Sequence, residues 1–432
     1  MNPRLLLLAG LSALPLMPVP ANAQTAQPRP SSTQAQIDEL KRLIAEQQRM
    51  IEALEARVRQ SEATTTAAES KAGEARDTAD AARRAVAEKP LIAAKEKTAS
   101  VVLSGQVNRM LTLADDGHKT KLYNVDNSNS STRFNIMAQH KPEGGELTVG
   151  AQIEVELKSN ASNEVSQENE DTGTASLRDR KTEVFAEHTR YGKLWLGQGS
   201  TASDGTAEVD TSGTTVISYA SIADLAGGLL FYDQDSDEYS DTTIGDAFND
   251  LDGNGRLDRV RYDTPRFHGM MLSGDVASNQ RASAALTWEE KELAGFAAGA
   301  AVAYSDPGSG RDYLVDGSAS ALHLGTGLSL TVSAGTRDNV GRDSSQNYYA
   351  KLGWQTMGLT NIGRSAFVLD YTRSQDMDQD GDKGDSVGLF GVQFVPQYAT
   401  EVFAGVRWHS LDRDDADFQD ILAGVTGARV KF

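Results

Sequence analysis

Residues 147–158 have the sequence Leu-Thr-Val-Gly-Ala-Gln-Ile-Glu-Val-Glu-Leu-Lys, in which apolar residues alternate with polar residues or glycine. Side chains of a β-strand point alternately to its two faces, so this segment predicts a strand with one apolar and one polar face. The same alternation returns in residues 347–355 and 401–409. Such strands need an apolar environment on one side and water on the other.

About sixteen segments carry this pattern, and the connections between them alternate in length. The predicted strands are residues 101–113, 132–141, 147–158, 181–189, 193–199, 259–264, 270–277, 282–289, 293–304, 313–324, 328–337, 347–356, 365–373, 386–395, 400–409 and 420–432. Short turns such as 142–145 and 190–192 follow even-numbered strands, whereas long polar segments such as 114–131 and 159–176 follow odd-numbered ones. An even number of strands with loops sorted by length predicts an antiparallel transmembrane β-barrel over residues 100–432.

The residues before the barrel predict export and a helical stalk. Residues 1–23 have a basic start, an apolar stretch and the small residues Ala21-Asn22-Ala23, which is the order of a secretory signal peptide. Apolar heptads predict an α-helical coiled coil over residues 37–88, with linkers at 24–36 and 89–99. Because an even strand number returns both barrel ends to one rim, we expect the coiled coil in the periplasm. Isoleucine at a and leucine at d nominally favour two strands, and Gln47 adds a polar layer to the seam.

Composition excludes several classes of function. The formal net charge of -19 argues against a nucleic-acid partner, and a chain with no cysteine has no disulfide framework. The six histidines lack metal-ligand spacing, and neither G-x-S-x-G nor H-E-x-x-H occurs. The sequence therefore predicts a protein that is not an enzyme and has no cofactor. A hydrolase site assembled from several strands is the alternative that sequence alone leaves open.

From Val101 to the end the chain resembles the general porins of Gram-negative bacteria. The resemblance rests on five segments: 102–108, Val-Leu-Ser-Gly-Gln-Val-Asn; 131–134, Ser-Thr-Arg-Phe; 191–198, Tyr-Gly-Lys-Leu-Trp-Leu-Gly-Gln; 261–269, which begins Arg-Tyr-Asp-Thr-Pro; and 428–432, Ala-Arg-Val-Lys-Phe. The coiled-coil prefix is similar to that of the DcaP-type porins. The resemblance implies a homotrimer in outer-membrane lipid that passes small hydrophilic solutes and ions by passive diffusion.

The segment 200–258 is too long for an ordinary hairpin loop, and the resemblance implies that it folds into the lumen as a constriction loop. Its acidic candidates are Asp204, Glu208, Asp210, Asp233, Asp235 and Asp237. Strand parity places a set of basic side chains on the water-facing wall, namely Arg133, Arg259, Arg261, Lys351, Arg407 and Arg429. An acidic loop opposite a basic wall predicts a transverse field across the pore. Pairing of each arginine with loop carboxylates is the alternative, and the sign of ion selectivity stays open.

Two further features carry hypotheses about binding and assembly. Asp250, Asp252 and Asn254 match the first half of a calcium loop, but position twelve is Arg261 instead of glutamate, so exposed acidic turns are the alternative to a weak calcium site. The resemblance implies that Phe432 is the signal for the barrel-assembly machinery. A structural anchor, with a coiled coil that tethers to peptidoglycan or a periplasmic partner, is the alternative to the channel.

Overall fold

The computed structural model describes residues 98–173, 176–308 and 313–432, the strand Ile92–Ala93, and the single helical residues Ala45, Gln48, Arg49 and Glu52. The chain divides into two compact units, residues 1–70 and 71–432, and the second contains the barrel. The signal peptide and both linkers lie outside the described residues, apart from Ile92–Ala93 and residues 98–99 of the second linker. So does the coiled coil, apart from the four single residues, and these assignments stay predictions. In the described part, none of the helices is long and apolar enough to cross a bilayer.

The described residues form twenty strands and two short α-helices. The strands are β1 Ile92–Ala93, β2 Ala99–Asp115, β3 Thr120–Asp126, β4 Arg133–His140, β5 Leu147–Lys158, β6 Ser176–His188, β7 Gly192–Ser200, β8 Leu230–Asp233, β9 Glu238–Thr243, β10 Arg256–Asp263, β11 Met270–Ala277, β12 Ala282–Leu293, β13 Phe296–Asp306, β14 Leu314–His323, β15 Leu328–Arg337, β16 Ser345–Thr356, β17 Ser365–Gln375, β18 Lys383–Val395, β19 Thr400–Asp412 and β20 Ile421–Lys431. The helices are α1 Ala223–Ala226 and α2 Ile244–Ala247, with 3-10 turns at Ser128–Ser130, Ser278–Gln280 and Pro396–Tyr398.

Sixteen of the described strands close into an antiparallel barrel, which confirms the predicted fold class. The wall consists of β2, β4–β7 and β10–β20, and β7 pairs with β10 across the long inner segment. Closure comes from β20, whose Lys431 lies opposite Gln106 of β2. The first half of β2 pairs with β4 and its second half with β3. A closed barrel leaves no open sheet edge in the hydrocarbon, where unpaired backbone groups would be costly.

The wall has the two faces that the alternation predicts. On β16, Leu352 is 61% exposed on the outer face, whereas its neighbour Lys351 is 1% exposed on the inner face. Outward side chains are largely apolar along the whole wall, for example Leu330, Leu389 and Val406. These residues supply the apolar band that faces lipid.

Replacing Leu352 by arginine is expected to destabilise the folded barrel in lipid by about 2–4 kcal/mol, because the change places a charge on the lipid face of a membrane strand. The measurement is equilibrium unfolding in lipid vesicles. Lys383→Arg, at an exposed position near the loop rim, is the matched control and should leave the transition unchanged. Equal unfolding curves for Leu352→Arg and wild type would contradict the assignment of this face to lipid.

Two segments differ from the sequence prediction. Residues 114–131 were expected to be an irregular loop, but they contain β3, which folds back on β2 with Asp115 opposite Thr120. The long segment between β7 and β10 contains a second hairpin, formed by β8 and β9. Both hairpins are short, and the polar residues around them resemble loop composition, so periodicity gave little signal.

The barrel interior has an apolar core of the kind found in soluble proteins. The inner segment 201–255, between β7 and β10, contributes buried side chains such as Ile217, Leu225, Phe231 and Phe248. The wall contributes Tyr349, Val368, Phe390, Phe403, Val425 and further residues of β2 and β18–β20, and β3 contributes Tyr123 and Val125. The hydrophobic effect therefore holds this segment, called the inner loop below, against one side of the barrel wall.

Candidate functional site

The inner loop begins with an outgoing limb, residues 201–218, that follows the inner face of the wall. The backbone amide of Val209 donates to Ser318 Oγ at 2.9 Å, and that of Thr211 donates to Ser320 Oγ at 2.9 Å. Both serines lie on the inner face of β14. Small hydroxyl side chains there leave room for the loop backbone and satisfy its donors, as buried backbone groups require.

Lys351 of β16 fixes the middle of the outgoing limb. Its Nζ lies 2.6 Å from a carboxylate oxygen of Asp210, and both side chains are at most 2% exposed. The same ammonium donates to Ser212 Oγ at 3.1 Å, Thr214 Oγ1 at 3.0 Å and the Ser218 carbonyl at 2.7 Å. Lys351 was predicted to face the pore, and its parity is correct, but the loop covers it completely. It is an anchor for the loop.

Arg407 of β19 makes a second buried ion pair. Its Nη2 donates to Asp370 Oδ2 of β17 at 2.7 Å, and Nη1 donates to Ser386 Oγ of β18 at 3.2 Å. The Ser218 hydroxyl of the inner loop donates to the same Asp370 oxygen at 2.5 Å. Arg407 therefore joins three strands, and its carboxylate partner joins them to the loop.

Two more of the predicted basic residues are also occupied by structural contacts. Arg259 pairs with Glu183, both side chains being 2% exposed, and donates to the Ser200 carbonyl at 3.0 Å. Arg261 donates to Asp263 Oδ1 at 2.8 Å and to the Thr201 carbonyl at 2.6 Å. These guanidinium groups fasten the start of the inner loop to β10 and β6. Their carboxylate partners, Glu183 of β6 and Asp263 of β10, lie on wall strands and not on the loop, which differs from the pairing with loop carboxylates that the sequence left open.

The remaining predicted cations, Arg133 and Arg429, line the wall beside β4. The Arg133 side chain is 28% exposed, and its Nε lies 4.0 Å from Glu154 Oε1. Arg429 pairs with Glu401 and donates to Ser130 Oγ at 2.6 Å. Arg133 thus keeps access to solvent from the inner face of the barrel.

Sequence reasoning missed Arg180, whose Nε donates to Glu154 Oε1 at 2.6 Å beside Arg133. The pairing of β5 and β6 shifts register here, because Lys181 lies opposite Glu154 but Asp179 lies opposite Val155. Arg180 is the extra residue of this bulge, and a bulge can redirect a side chain to either face. The run Arg178-Asp179-Arg180-Lys181 was the available signal, but the predicted strand started at Lys181, five residues after the start of β6 at Ser176.

Acidic groups of the inner loop approach Arg133 and Arg180, which together are called the basic patch below. Asp224 of α1 lies within the electrostatic reach of Lys158 and Arg180, and burial is the main cause that raises its pKa. The Tyr219 hydroxyl donates to Asp224, and Asn163 Nδ2 donates to it at 3.3 Å. The loop therefore presents a carboxyl group and a phenol to the guanidinium side of the wall.

Other loop acids carry less charge than their number suggests. Burial, together with the charges of Asp250 and Asp252, raises the pKa of Glu208 well above its usual value. Burial also raises the pKa of Asp250, and that of Asp252 to about 6. Asp204 forms an ion pair with Arg256, with 3.7 Å between Asp204 Oδ2 and Arg256 Nη2. The raised pKa values and the ion pair thus weaken the negative field of the loop.

The sequence model described as Gram-negative porin matches residues 64–426. The chain belongs to the Gram-negative porins. It is an outer-membrane protein that forms a channel for passive diffusion of small hydrophilic solutes and ions, and family and fold do not favour the alternative of a structural anchor. Both also indicate a channel protein and not an enzyme.

Solved structures show the same fold at low sequence identity. A loop-deletion mutant of OmpT, an outer membrane protein of Vibrio cholerae, has a TM-score of 0.52 and 13% identity over 78% of this chain and 100% of that one. The anion-selective porin from Comamonas acidovorans has a TM-score of 0.51 and 13% identity over 77% of this chain and 100% of that one. The outer membrane channel DcaP of Acinetobacter baumannii has a TM-score of 0.50 and 14% identity over 79% of this chain and 100% of that one. No curated protein matches the sequence.

Asp233, Asp235 and Asp237 of this porin lie away from the basic patch. They surround the β8–β9 turn, where the Gln234 amide donates to the Asp417 carbonyl at 2.9 Å in the segment before β20. Their assignment to the constriction is therefore corrected. The hairpin reaches the rim that carries the long connections, which residue order along the loop does not reveal.

The calcium motif of the porin has another role. Both carboxylate oxygens of Asp252 accept backbone hydrogen bonds, from Gly205 at 2.6 Å and Ala207 at 2.8 Å. Asn254 Nδ2 donates to the carbonyls of Ala282 and Asp306, so Asn254 points away from Asp250. Among the described residues no group of three or more His, Cys, Asp or Glu is arranged to hold a metal ion. Asp252 and Asn254 tie the two limbs of the loop together, which corrects the calcium hypothesis.

Phe432 ends the wall at the closure of the barrel. Its backbone amide and carbonyl exchange hydrogen bonds with Gly105 of β2 at 3.0 and 2.8 Å, and its ring is 60% exposed. A Cβ atom at Gly105 would come within 2.6 Å of this ring, so the close approach requires glycine. The role of Phe432 as an assembly signal stays a prediction.

Proposed function

We propose that the constriction of this porin lies between the inner faces of β4–β6 and the inner loop, and that it favours small hydrophilic anions. The observation that carries this proposal is the pair Arg133 and Arg180, whose side chains are 28% and 18% exposed on the inner wall. The other predicted wall cations are paired or covered. Arg133 and Arg180 therefore form one patch of solvent-accessible guanidinium groups on the inner faces of β4 and β6.

The electrostatic balance of the site supports anions. Glu154 and Glu156 balance the charges of Arg133 and Arg180, and the positive charges of Lys181 and Lys158, which act on Glu154 and on Asp224, lie beside them. On the loop side, Asp210 is neutralised by Lys351, and burial together with the charges of Asp250 and Asp252 raises the pKa of Glu208. A positive potential at a narrow passage raises the local concentration of anions.

Neutralising Arg180 as Arg180→Gln is expected to lower the ratio of anion to cation permeability by about threefold. Two unit charges a few ångströms apart in water interact by about 1 kcal/mol, which sets this scale. The measurement is the reversal potential in planar bilayers under a potassium chloride gradient.

Arg190→Gln is the matched control, since Arg190 is exposed in the short turn after β6 and should leave the reversal potential unchanged. A cation-preferring wild type, or an Arg180→Gln channel with the wild-type reversal potential, would contradict the proposal.

We also propose that the porin is a homotrimer with a periplasmic coiled coil over residues 37–88. The heptads and the resemblance to trimeric porins support this, although isoleucine at a and leucine at d nominally favour two strands. Further proposed partners are the barrel-assembly machinery, through Phe432, and peptidoglycan, through the coiled coil. Conductance steps that arrive in threes would support the trimer, and deletion of residues 37–88 with unchanged conductance would separate transport from the stalk.

A further inference from the structure

His409 of β19 is a titratable side chain buried inside the barrel. It is 0% exposed, and it lies on the inner face between Ser386 of β18 and Ile421 of β20. Neither ring nitrogen has a hydrogen-bond partner among the described residues. The channel function described above does not use this imidazole.

The ring faces the returning limb of the inner loop, residues 240–255. Phe248 is 0% exposed, and its ring centroid lies 5.4 Å from that of His409 at an interplanar angle of 59°. Phe248 directly follows α2, and its amide donates to the Ile244 carbonyl at 2.9 Å. The imidazole therefore contacts Phe248, the side chain that packs the end of α2 against the barrel wall.

Phe248 is seated against glycine as well as histidine. A Cβ atom at Gly384 of β18 would come within 2.8 Å of the Phe248 ring. Ile244, Ala247, Leu411 and Ile421 belong to the same buried apolar cluster as Phe248. These apolar surroundings accommodate a neutral aromatic ring and do not stabilise a charged one.

Charged groups on the surrounding elements do not favour a protonated imidazole. They are Arg407 on β19, Asp370 on β17, Lys351 on β16, Asp246 on α2 and Asp250 after it, whereas Lys383 and Asp385 of β18 alternate with the inner-face residues Gly384 and Ser386. Arg407 pairs with Asp370 at 2.7 Å and Lys351 pairs with Asp210 at 2.6 Å, while Asp246 accepts hydrogen bonds from Thr243 at the start of its own helix. In the described residues no carboxylate bonds to the His409 ring, so charging it in place is costly.

We propose that His409 and Phe248 form an acid-sensitive latch, in which protonation of the imidazole releases the returning limb of the inner loop from the wall. An exposed imidazole has an ordinary pKa of about 6.5, so His409 takes up a proton more readily when the limb is released than when it is docked. The released state therefore gains about tenfold in population for each pH unit below about 6.5. Docking is strongest above that pH and weakens as the pH falls.

Single-channel recordings at pH 7 and at about pH 4.5 test the latch, with the frequency of transitions away from the main conductance level as the readout. Wild type should show an increase on the order of a hundredfold at the lower pH. His409→Phe keeps an aromatic ring at this position but cannot take up a proton, so its transitions should stay rare. His323→Phe, at the last residue of β14, is the matched control and should respond like wild type.

A second variant keeps the proposal testable if His409→Phe does not insert. Gly384→Ala displaces the Phe248 ring and should produce frequent transitions already at pH 7. Hydrogen-exchange protection of residues 244–248 in wild type should fall at the lower pH. A wild-type channel equally quiet at both pH values, or an acid response retained in His409→Phe, would overturn the latch. Reversal potentials at pH 7 in the same recordings test anion preference separately.

Discussion

Replacing Lys351 by methionine is expected to release the outgoing limb of the inner loop while the barrel stays folded. The change leaves Asp210 as a buried carboxylate without its ion partner, which costs about 3–5 kcal/mol. Four contacts of the ammonium are with loop atoms, in Asp210, Ser212, Thr214 and Ser218. The loss should therefore fall on docking of the loop, and the released population should rise by about two to four orders of magnitude.

Hydrogen exchange of the amides of residues 201–218 measures this release directly, and increased current noise should accompany it. Lys141→Met, at an exposed turn position, is the matched control. The double variant Lys351→Met with Asp210→Leu should recover most of the protection, because removing both members of a buried pair avoids the isolated charge. Wild-type protection in Lys351→Met alone would show that Lys351 does not anchor the loop.

The variant Arg407→Met is expected to have the second large effect, but on the barrel itself. Arg407 lies on β19 and contacts Asp370 on β17 and Ser386 on β18, so its loss weakens contacts between strands. Asp370 is 1% exposed and would keep the Ser218 hydroxyl as a donor, but not its cation. We expect the free energy of unfolding to fall by about 3–5 kcal/mol.

Urea unfolding in lipid vesicles measures this loss. The companion variant Arg407→Met with Asp370→Leu should be close to wild type, since the guanidinium already lies over the ring of Phe390, 5.1 Å from its centroid. Arg266→Met, in the exposed turn after β10, serves as control. Equal losses in the single and double variants would indicate that Arg407 acts through packing and not through its ion pair.

Lys351 and Arg407 also show which property of a side chain could be predicted from the sequence and which could not. Alternation assigned Lys351 and Arg407 correctly to the inner face, because parity along a strand is a local property. It could not show that the inner loop covers them. The partners of Lys351 lie more than 130 residues away in the chain, in a segment without strand periodicity.

Strand positions followed closely from sequence, and bulges and short hairpins did not. The predicted segments 147–158, 270–277 and 328–337 match β5, β11 and β15 residue for residue. β3 and Arg180 were missed, because a strand of seven residues and a one-residue shift in register leave little periodic signal.

The sequence by itself determined that this protein is a sixteen-stranded barrel with an apolar outer band and a polar inner wall. The reason is that each strand has one face toward lipid and one toward the barrel interior. Apolar and polar residues therefore alternate within each strand, and this alternation can be read from the local sequence. Only the tertiary structure decided which inner charges solutes can reach. Exposure of Arg133 and burial of Lys351 depend on the path of the inner loop, and that path is set by contacts between residues far apart in the chain.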